Sequence, residues 1–237
     1  MKIIFIAALM LSCLQTTEAQ TNEGKITYEQ KVDLHRRIPD DNPQMRAMLP
    51  PTRITKFELL FADNQSLFKA VVEEPDLAEP NHGGMMIRMN NGVENEYYKN
   101  FTTQKAVEKR EMMETVYLVE DTIHSFTWKL EEGEKTIAGY TCKKASGKTE
   151  RRADVIAWYT EVIPVTSGPE QFNGLPGMIL GLDANKGEIV FTAILVDKKL
   201  DKKALKAPAK GKRITGPEFA KIQNEMMRRG PVRIVTN

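Results

Sequence analysis

The sequence contains little cysteine. Only Cys13 and Cys142 occur among its 237 residues, and Cys13 lies in an N-terminal segment that we expect to be removed or, in the alternative, lipidated. Neither outcome leaves two thiols for an intramolecular disulfide. An exported chain of this kind must be held together by its hydrophobic core. Because Cys142 lies in a strand pattern, we expect its thiol to be buried and unreactive.

Motifs of familiar enzyme chemistry are also missing. The sequence has no H-E-x-x-H, G-x-S-x-G or paired-cysteine motif. The segment SGKT at 146–149 resembles part of a phosphate-binding loop, but Cys142 stands where that loop requires a glycine. Its three histidines have no triad-like context: His35, His82 and His124. We therefore predict a protein that is not an enzyme and has no cofactor. A hydrolase with unrecognised carboxylates stays open as an alternative.

The one extended apolar run lies at the N terminus. Residues 3–14 are apolar, and the small residue Ala19 suits a signal-peptidase site. We predict a signal peptide over residues 1–19, followed by one β-rich domain over residues 20–237 that has no transmembrane segment. The mature protein would be exported, and periplasmic or outer-membrane associated. The alternative is a lipoprotein that is cleaved before Cys13.

Charge is distributed unevenly along the chain. Residues 198–237 hold twelve Lys or Arg and three Asp or Glu, a net charge of +9, whereas the whole chain carries +2. The remaining residues therefore carry −7. A basic C-terminal segment on an acidic body favours contact with an anionic surface or partner. The alternative is a solvated face. A nucleic-acid partner is not expected for an exported chain with a near-neutral total charge.

Hydrophobic periodicity predicts a mainly β fold. Residues 24–34 alternate as a strand, and residues 53–74 read as a hairpin that turns at 62–65. Further strand patterns follow at hairpin spacing, including 126–145 with a turn at Glu132-Gly133. Caps and prolines predict a short helix after Asn42 and a C-terminal helix after Thr215. The expected architecture is an antiparallel sheet that forms a sandwich or partial barrel.

The stretch GLPGMIL begins with a rigid loop. Leu175-Pro176-Gly177 predicts a type II turn, and Gly174 allows close approach of another backbone. One interpretation is purely structural, in which the turn sets the entry of the following strand. The other is a binding loop that presents Phe172 and Leu175 to a partner, with candidate residues Phe172, Gly174, Leu175, Pro176 and Gly177.

A methionine-rich segment suggests a second kind of site. His82, Met85, Met86 and Met89 supply imidazole and thioether groups, which suit Cu(I). On an extended strand Met85 and Met89 share one face, and the two glycines after His82 would let it fold back. Methionine is also an ordinary core residue. Copper binding therefore stands as an alternative interpretation.

Several spaced motifs resemble one family of exported proteins. The segment NGLPGMIL at 173–180 resembles the signature of the GLPGLI family of bacterial envelope proteins, with Met178 in place of leucine. The resemblance extends to other segments: Trp128, IAGYTCKKA at 137–145, AWYT at 157–160, Gly168-Pro169, Phe172 and the C-terminal GPEF. The resemblance implies a signal peptide, an antiparallel β fold and a Gram-negative envelope location. It implies no activity and no catalytic residues.

These observations lead to one functional prediction with two alternatives. We expect a non-enzymatic envelope protein that binds a hydrophobic ligand or an outer-membrane partner, on a curved sheet or through the loop at 164–177. Partners would be an envelope protein or lipid. The alternatives are the Cu(I)-binding protein and the carboxylate hydrolase.

Overall fold

The described residues form one large sheet. A computed structural model describes residues 21–39, 42–71, 95–112, 114–149 and 153–229. The strands are β1 (Gly24–Asp33), β2 (Thr52–Ala62), β3 (Gln65–Ala70), β4 (Glu96–Asn100), β5 (Lys105–Met112), β6 (Thr115–Thr122), β7 (Trp128–Ile137), β8 (Tyr140–Lys148), β9 (Asp154–Thr160), β10 (Met178–Ala184), β11 (Ile189–Asp197) and β12 (Lys212–Thr215). The helices are α1 (Pro43–Met48) and α2 (Gly216–Arg229).

The sheet is antiparallel except at one edge, and it is not closed. The strand order is β12-β6-β5-β4-β3-β2-β1-β11-β10-β9-β8-β7, and β12 pairs with β6 in parallel. The predicted mainly β, antiparallel fold with a C-terminal helix is therefore confirmed. Among the described helices, none is long and apolar enough to cross a membrane.

Local turn chemistry explains the hairpins. Asp63 and Asn64 join β2 to β3 with φ of +49° and +58°, which is the conformation of a tight hairpin turn that Asn and Asp tolerate best. Asn185 and Lys186 have the same left-handed conformation between β10 and β11. The predicted turn at 62–65 is confirmed. The second loop spans 185–188, one residue later than the sequence indicates.

Two strand predictions needed correction. The Glu132-Gly133 turn is wrong, because β7 continues through it with a bulge between Glu131 and Glu134. The chain instead turns at Ala138 and Gly139, which have φ of +49° and +85°. A glycine in a strand pattern marks a bulge as readily as a turn. The short edge strand β12 was not predicted, because four residues carry little periodic signal.

Both helices begin at the predicted caps. The Asn42 side chain accepts a hydrogen bond from the backbone N–H of Met45 at 3.1 Å. Thr215 and Glu218 form a capping box at the start of α2, in which the Glu218 carboxylate accepts from the Thr215 backbone N–H at 2.9 Å. Phe219 anchors this helix with its ring 5.7 Å from that of Tyr117, edge to face.

Aromatic rings fill the centre of the core. Phe57 and Phe68 stack with their centroids 5.0 Å apart, and Phe191 packs edge-on against both. The Tyr28 hydroxyl is fully buried and donates a hydrogen bond to the Ile179 carbonyl at 2.6 Å. The core is continuous from these strands to the segment that precedes β10, which brings the GLPG stretch into the interior.

Candidate functional site

The loop at 164–177 packs into the fold. Its backbone is tied to β10 by a hydrogen bond from Ile179 N–H to Ser167 O at 2.9 Å, and the Met178 N–H bonds to O of Ile163, just before the loop, at 3.0 Å. The Ser167 hydroxyl donates to that of Ser66 on β3 at 2.9 Å, and both side chains are fully buried. The loop is therefore an internal packing element of the sheet.

The turn within the loop differs from the predicted type II turn. The Leu175 carbonyl accepts from the Gly177 N–H at 2.8 Å, which closes a three-residue turn around Pro176. A type II turn would use the N–H of Met178, which is already bonded to Ile163. The predicted close approach at Gly174 is present, since a Cβ there would lie 3.3 Å from the Phe126 carbonyl oxygen.

The structure separates the five candidate loop residues into two groups. Phe172 and Leu175 lie in the core, with 4% and 1% of their surface exposed. Their side chains are thus directed inward and are not presented at the surface. Gly177 is buried as well, whereas Gly174 and Pro176 are exposed. Partner binding through this loop remains a prediction. Of the five candidate residues, Gly174 and Pro176 lie at the surface, where a partner could contact them.

Two long side chains fix the loop from opposite parts of the sheet. On β4, the Lys99 ammonium donates to the carbonyl oxygens of Glu170 at 2.6 Å and Phe172 at 3.3 Å. On β7, the Trp128 indole N–H donates to the Asn173 carbonyl at 2.8 Å. Four consecutive loop residues therefore connect β4 with the edge strand β7.

A cluster of charged groups surrounds the Lys99 contact. Burial lowers the pKa of Lys99 to about 7 against the opposing effect of Glu108 and Glu170, and burial raises the pKa of Glu170. Arg110 pairs with Glu108 at 2.8 Å and its guanidinium lies 4.8 Å from the centre of the Tyr97 ring. Low-polarity surroundings thus oppose charge on both Lys99 and Glu170.

Sequence reasoning missed this cluster. Tyr97 and Lys99 alternate on β4, and Glu108 and Arg110 alternate on β5, which reads as an ordinary solvated face. The register that pairs Tyr97 with Glu108 brings the two sets together. Within the cluster, Glu170 has φ of +49°, a conformation that is uncommon for a residue other than glycine, Asn or Asp. That angle is invisible in the sequence.

A surface groove of about 500 Å³ lies over β7, β8 and β9. Its apolar lining includes Trp128, Gly147, Val155 and Ile156. Gly147 has no side chain because a Cβ there would lie 2.8 Å from the Thr127 carbonyl oxygen and would also overlap the neighbouring aromatic ring. The glycine therefore allows the segment at 126–127 to pack closely against β8 at the rim of the groove.

Charged side chains complete the lining of this groove. Lys148 pairs with Asp154 at 2.6 Å. The carboxylate of Glu131 is engaged by the Ser146 hydroxyl, and this hydrogen bond is the main cause of its lowered pKa. Lys129 and Lys186 also line the groove, and within the described ranges they form no ion pair. The groove therefore has cationic groups available to an anionic ligand.

A second groove lies beside the short turn at His35–Arg37. It is lined by Arg36, Arg37 and Arg46 among others. These guanidinium groups are already engaged: Arg36 donates to the carbonyls of Asn185 and Lys186, and Arg37 pairs with a carboxylate of the β10–β11 loop. The arginines fasten this end of the sheet, so we do not assign a ligand to them.

The prediction that Cys142 is buried is confirmed. Its side chain has no exposed surface, and burial raises the pKa of its thiol to about 11. Because the thiolate is the reactive form, we expect no reaction with a disulfide reagent at neutral pH in the folded protein, and one equivalent after unfolding. Thiol titration with and without denaturant, on the chain that lacks residues 1–19, measures this. Rapid labelling of the folded protein would contradict the burial.

The predicted copper ligands cannot be placed. His82, Met85, Met86 and Met89 lie outside the described residues. Two other methionines, Met45 and Met48, are exposed on α1. Over the described ranges no group of three or more His, Cys, Asp or Glu side chains is arranged to hold a metal ion.

Comparisons with known proteins show a fold and a local family match. The sequence model of a family described as a protein of unknown function (Porph_ging) matches residues 146–181, from the end of β8 to β10. A search of curated proteins found no match.

Similarity to solved structures is more extensive. The fold is similar to part of PNGF-II. Structures of PNGF-II in the C2 and P21 space groups both give a TM-score of 0.56, with 14% and 15% sequence identity. They cover 84% and 85% of this chain but only 32% and 33% of PNGF-II. This chain thus spans about a third of the length of the structures that it matches, and the likeness concerns the fold alone.

Proposed function

We propose that this chain is a non-enzymatic, exported envelope protein of the GLPGLI type that binds a ligand with an apolar body and an anionic group. The observation that carries the proposal is the groove over β7, β8 and β9, which combines an apolar lining with lysines. Binding sites for small molecules commonly pair apolar walls with a few polar groups that fix orientation. The motif resemblance and the predicted signal peptide support the location.

The interior of the sheet is a poor site for such a ligand. The loop at 164–177 and the stacked rings of Phe57 and Phe68 already occupy the core. A ligand held between the strands would have to displace Phe172 and Leu175. The groove needs no such displacement, because its space is open at the surface. We therefore place the ligand on the outside of the sheet.

The chemistry of the lining restricts the ligand further. Trp128 and Ile156 offer apolar contact, and Lys129 and Lys186 offer positive charge near it. Lys148 is offset by Asp154, so its contribution is smaller. An ion pair at an exposed site contributes only up to about 1 kcal/mol. We therefore expect the apolar contact to supply most of the affinity and the lysines to select an anionic end group.

The test uses tryptophan fluorescence in a Trp158→Phe background, because Trp128 lines the groove and Trp158, the second tryptophan of the sequence, does not. Laurate is the probe and dodecanol is the neutral comparison with the same chain length. We expect laurate to change the tryptophan emission and to bind more tightly than dodecanol. Ile156→Glu places a carboxylate in the groove and should weaken laurate binding by about tenfold or more, since it removes apolar contact and repels the anion.

The matched control is Ile194→Glu, at an exposed isoleucine of β11 that does not line the groove. It should bind laurate as the parent does. Thermal unfolding of both variants separates loss of folding from loss of binding. Equal loss of binding in the two variants, or equal affinity for laurate and dodecanol, would remove the support for this site.

One observation bears on the hydrolase alternative. A hydrolase requires a carboxyl group with a raised pKa in a cleft, and Glu170 has a raised pKa beside a second carboxylate, Glu108. However, the adjoining Lys99 is only 5% exposed, and the cluster lines neither groove described above. We favour a structural role, in which these groups hold the loop in place.

A further inference from the structure

The basic segment between β11 and β12 has a defined path across the sheet. It leaves β11 after Asp197, opposite Lys25 at the start of β1, and enters β12 at Lys212 beside β6. Five strands, β1 to β5, lie between β11 and β6 in the sheet order. At about 4.8 Å per strand the segment therefore spans roughly 30 Å along the sheet.

Two kinds of contact fix this segment to the body. Near its start, the Lys202 ammonium pairs with the Glu23 carboxylate at 2.6 Å and with that of Asp63 at 3.4 Å. At its end, Gly211 packs closely on Val116 and Leu118 of β6, and Arg213 pairs with a carboxylate on the same strand. The segment is thus anchored at both ends.

The segment has an inner apolar side and an outer cationic side. Leu200, Leu205 and Pro208 are half-buried. Besides Lys202, which is paired, six lysines are exposed: Lys198, Lys199, Lys203, Lys206, Lys210 and Lys212. Across the described part of the chain no ion pair neutralises these six. Asp201 is the one carboxylate within 198–213, and it caps the short turn at Lys202–Ala204.

We propose that this strip, defined as residues 198–213, docks on the anionic phosphate groups of a lipid bilayer surface. A row of lysines about 30 Å long, on one continuous segment, matches an extended anionic plane better than a compact ligand. Each lysine near such a surface contributes about 1 kcal/mol. The exposed apolar side chains of Ile194 and Leu195 lie on β11, shortly before the strip begins. Because the N terminus predicts export, a lipid surface is favoured over nucleic acid.

Vesicle co-sedimentation of the exported protein tests the proposal. Vesicles that contain phosphatidylglycerol and phosphatidylcholine should bind it, whereas phosphatidylcholine alone should not. Binding should weaken steeply when salt is raised to about 0.5 M, where the screening length is only a few ångströms. The double change Lys206→Gln and Lys210→Gln should weaken binding by about thirtyfold. Because these lysines are exposed, we expect the variant to fold as the parent does, and thermal unfolding checks this.

The matched control changes the same charge elsewhere. Lys31 on β1 and Lys105 on β5 are exposed, and Lys31→Gln with Lys105→Gln should leave vesicle binding nearly unchanged. An equal loss in both double variants would overturn the proposal, because only total charge would then matter. Equal binding to neutral vesicles, or binding that ignores salt, would also overturn it and would indicate a lipid anchor. Capture by heparin without binding to anionic vesicles would assign the strip to a soluble polyanion instead.

Discussion

Gly177→Ala should destabilise the protein by about 3 kcal/mol or more, or prevent folding. A Cβ at this position would lie 2.7 Å from the Thr160 carbonyl carbon and closer still to its oxygen. Both obstacles are backbone, so no side-chain rotation relieves them. Gly177 also has φ of +150°, which favours glycine. We expect the largest loss of stability here of any single methyl addition to the loop. Urea unfolding measures it.

Gly139→Ala is the matched control for this prediction. Gly139 also has a positive φ, of +85°, but a Cβ there would meet no atom within 4 Å. Its replacement should cost only the backbone strain of about 1–2 kcal/mol. The difference between the two variants therefore isolates the close approach to Thr160. Equal losses would show that this approach does not exist in the folded protein.

The second large effect comes from Lys99. We expect this side chain to make the free energy of unfolding increase as the pH is raised. Its pKa is lowered from 10.5 in the unfolded chain to about 7 in the folded protein. Between these values the unfolded state binds more protons, so the free energy of unfolding rises with pH. Below pH 7 the folded protein carries the full free-energy cost of burying the charged Lys99 ammonium. This cost falls as the pH approaches 10.5, because Lys99 loses its proton in the folded protein first. From pH 7 to 9 the contribution of Lys99 is about 2 kcal/mol.

Lys99→Met should remove this rise. The variant loses the hydrogen bonds to the carbonyls of Glu170 and Phe172 at every pH, which lowers its stability without adding a slope. Glu170 acts in the opposite direction, because its raised pKa stabilises the folded state at low pH and that contribution is lost as pH rises above 4.5. The variant curve should therefore be flat or falling where the parent curve rises.

Urea unfolding at pH 6, 7, 8 and about 9 gives both curves. The buried tyrosines do not interfere, because burial raises the pKa of Tyr28 and Tyr97 above 10, beyond this range. Lys105→Met, at an exposed lysine on the adjacent strand β5, should reproduce the parent slope. Parallel curves for the parent and Lys99→Met would show that Lys99 is protonated equally in both states.

These two predictions concern a loop that connects distant parts of the sheet. Lys99 and Trp128 both bond to carbonyl oxygens between Glu170 and Asn173. Loss of either contact removes one of the two side chains that hold residues 170–173, while the other stays bonded. Trp128, which bonds to the loop, also lines the groove that we propose as the ligand site. Stability of the loop and the shape of that groove are thus physically linked through one side chain.

Local signals in the sequence predicted local structure well. The β2–β3 turn at Asp63 and Asn64 and the cap of α2 at Thr215 depend on residues within a few positions of one another. The same locality explains an error. Gly133 satisfies either a turn or a bulge, and only the pairing of β7 with β8 decides between them.

The sequence by itself determined the antiparallel β class, the helix caps and the uneven charge. Tertiary structure decided which polar groups are buried and where the GLPG stretch lies. The Lys99 contact with Glu170 joins residues 71 positions apart, and it depends on the β4–β5 register and on the return of the loop over the core. No local sequence pattern encodes such a contact. The alternation of residues along a strand determines which face of the sheet a side chain lies on, but not which segment packs over that face.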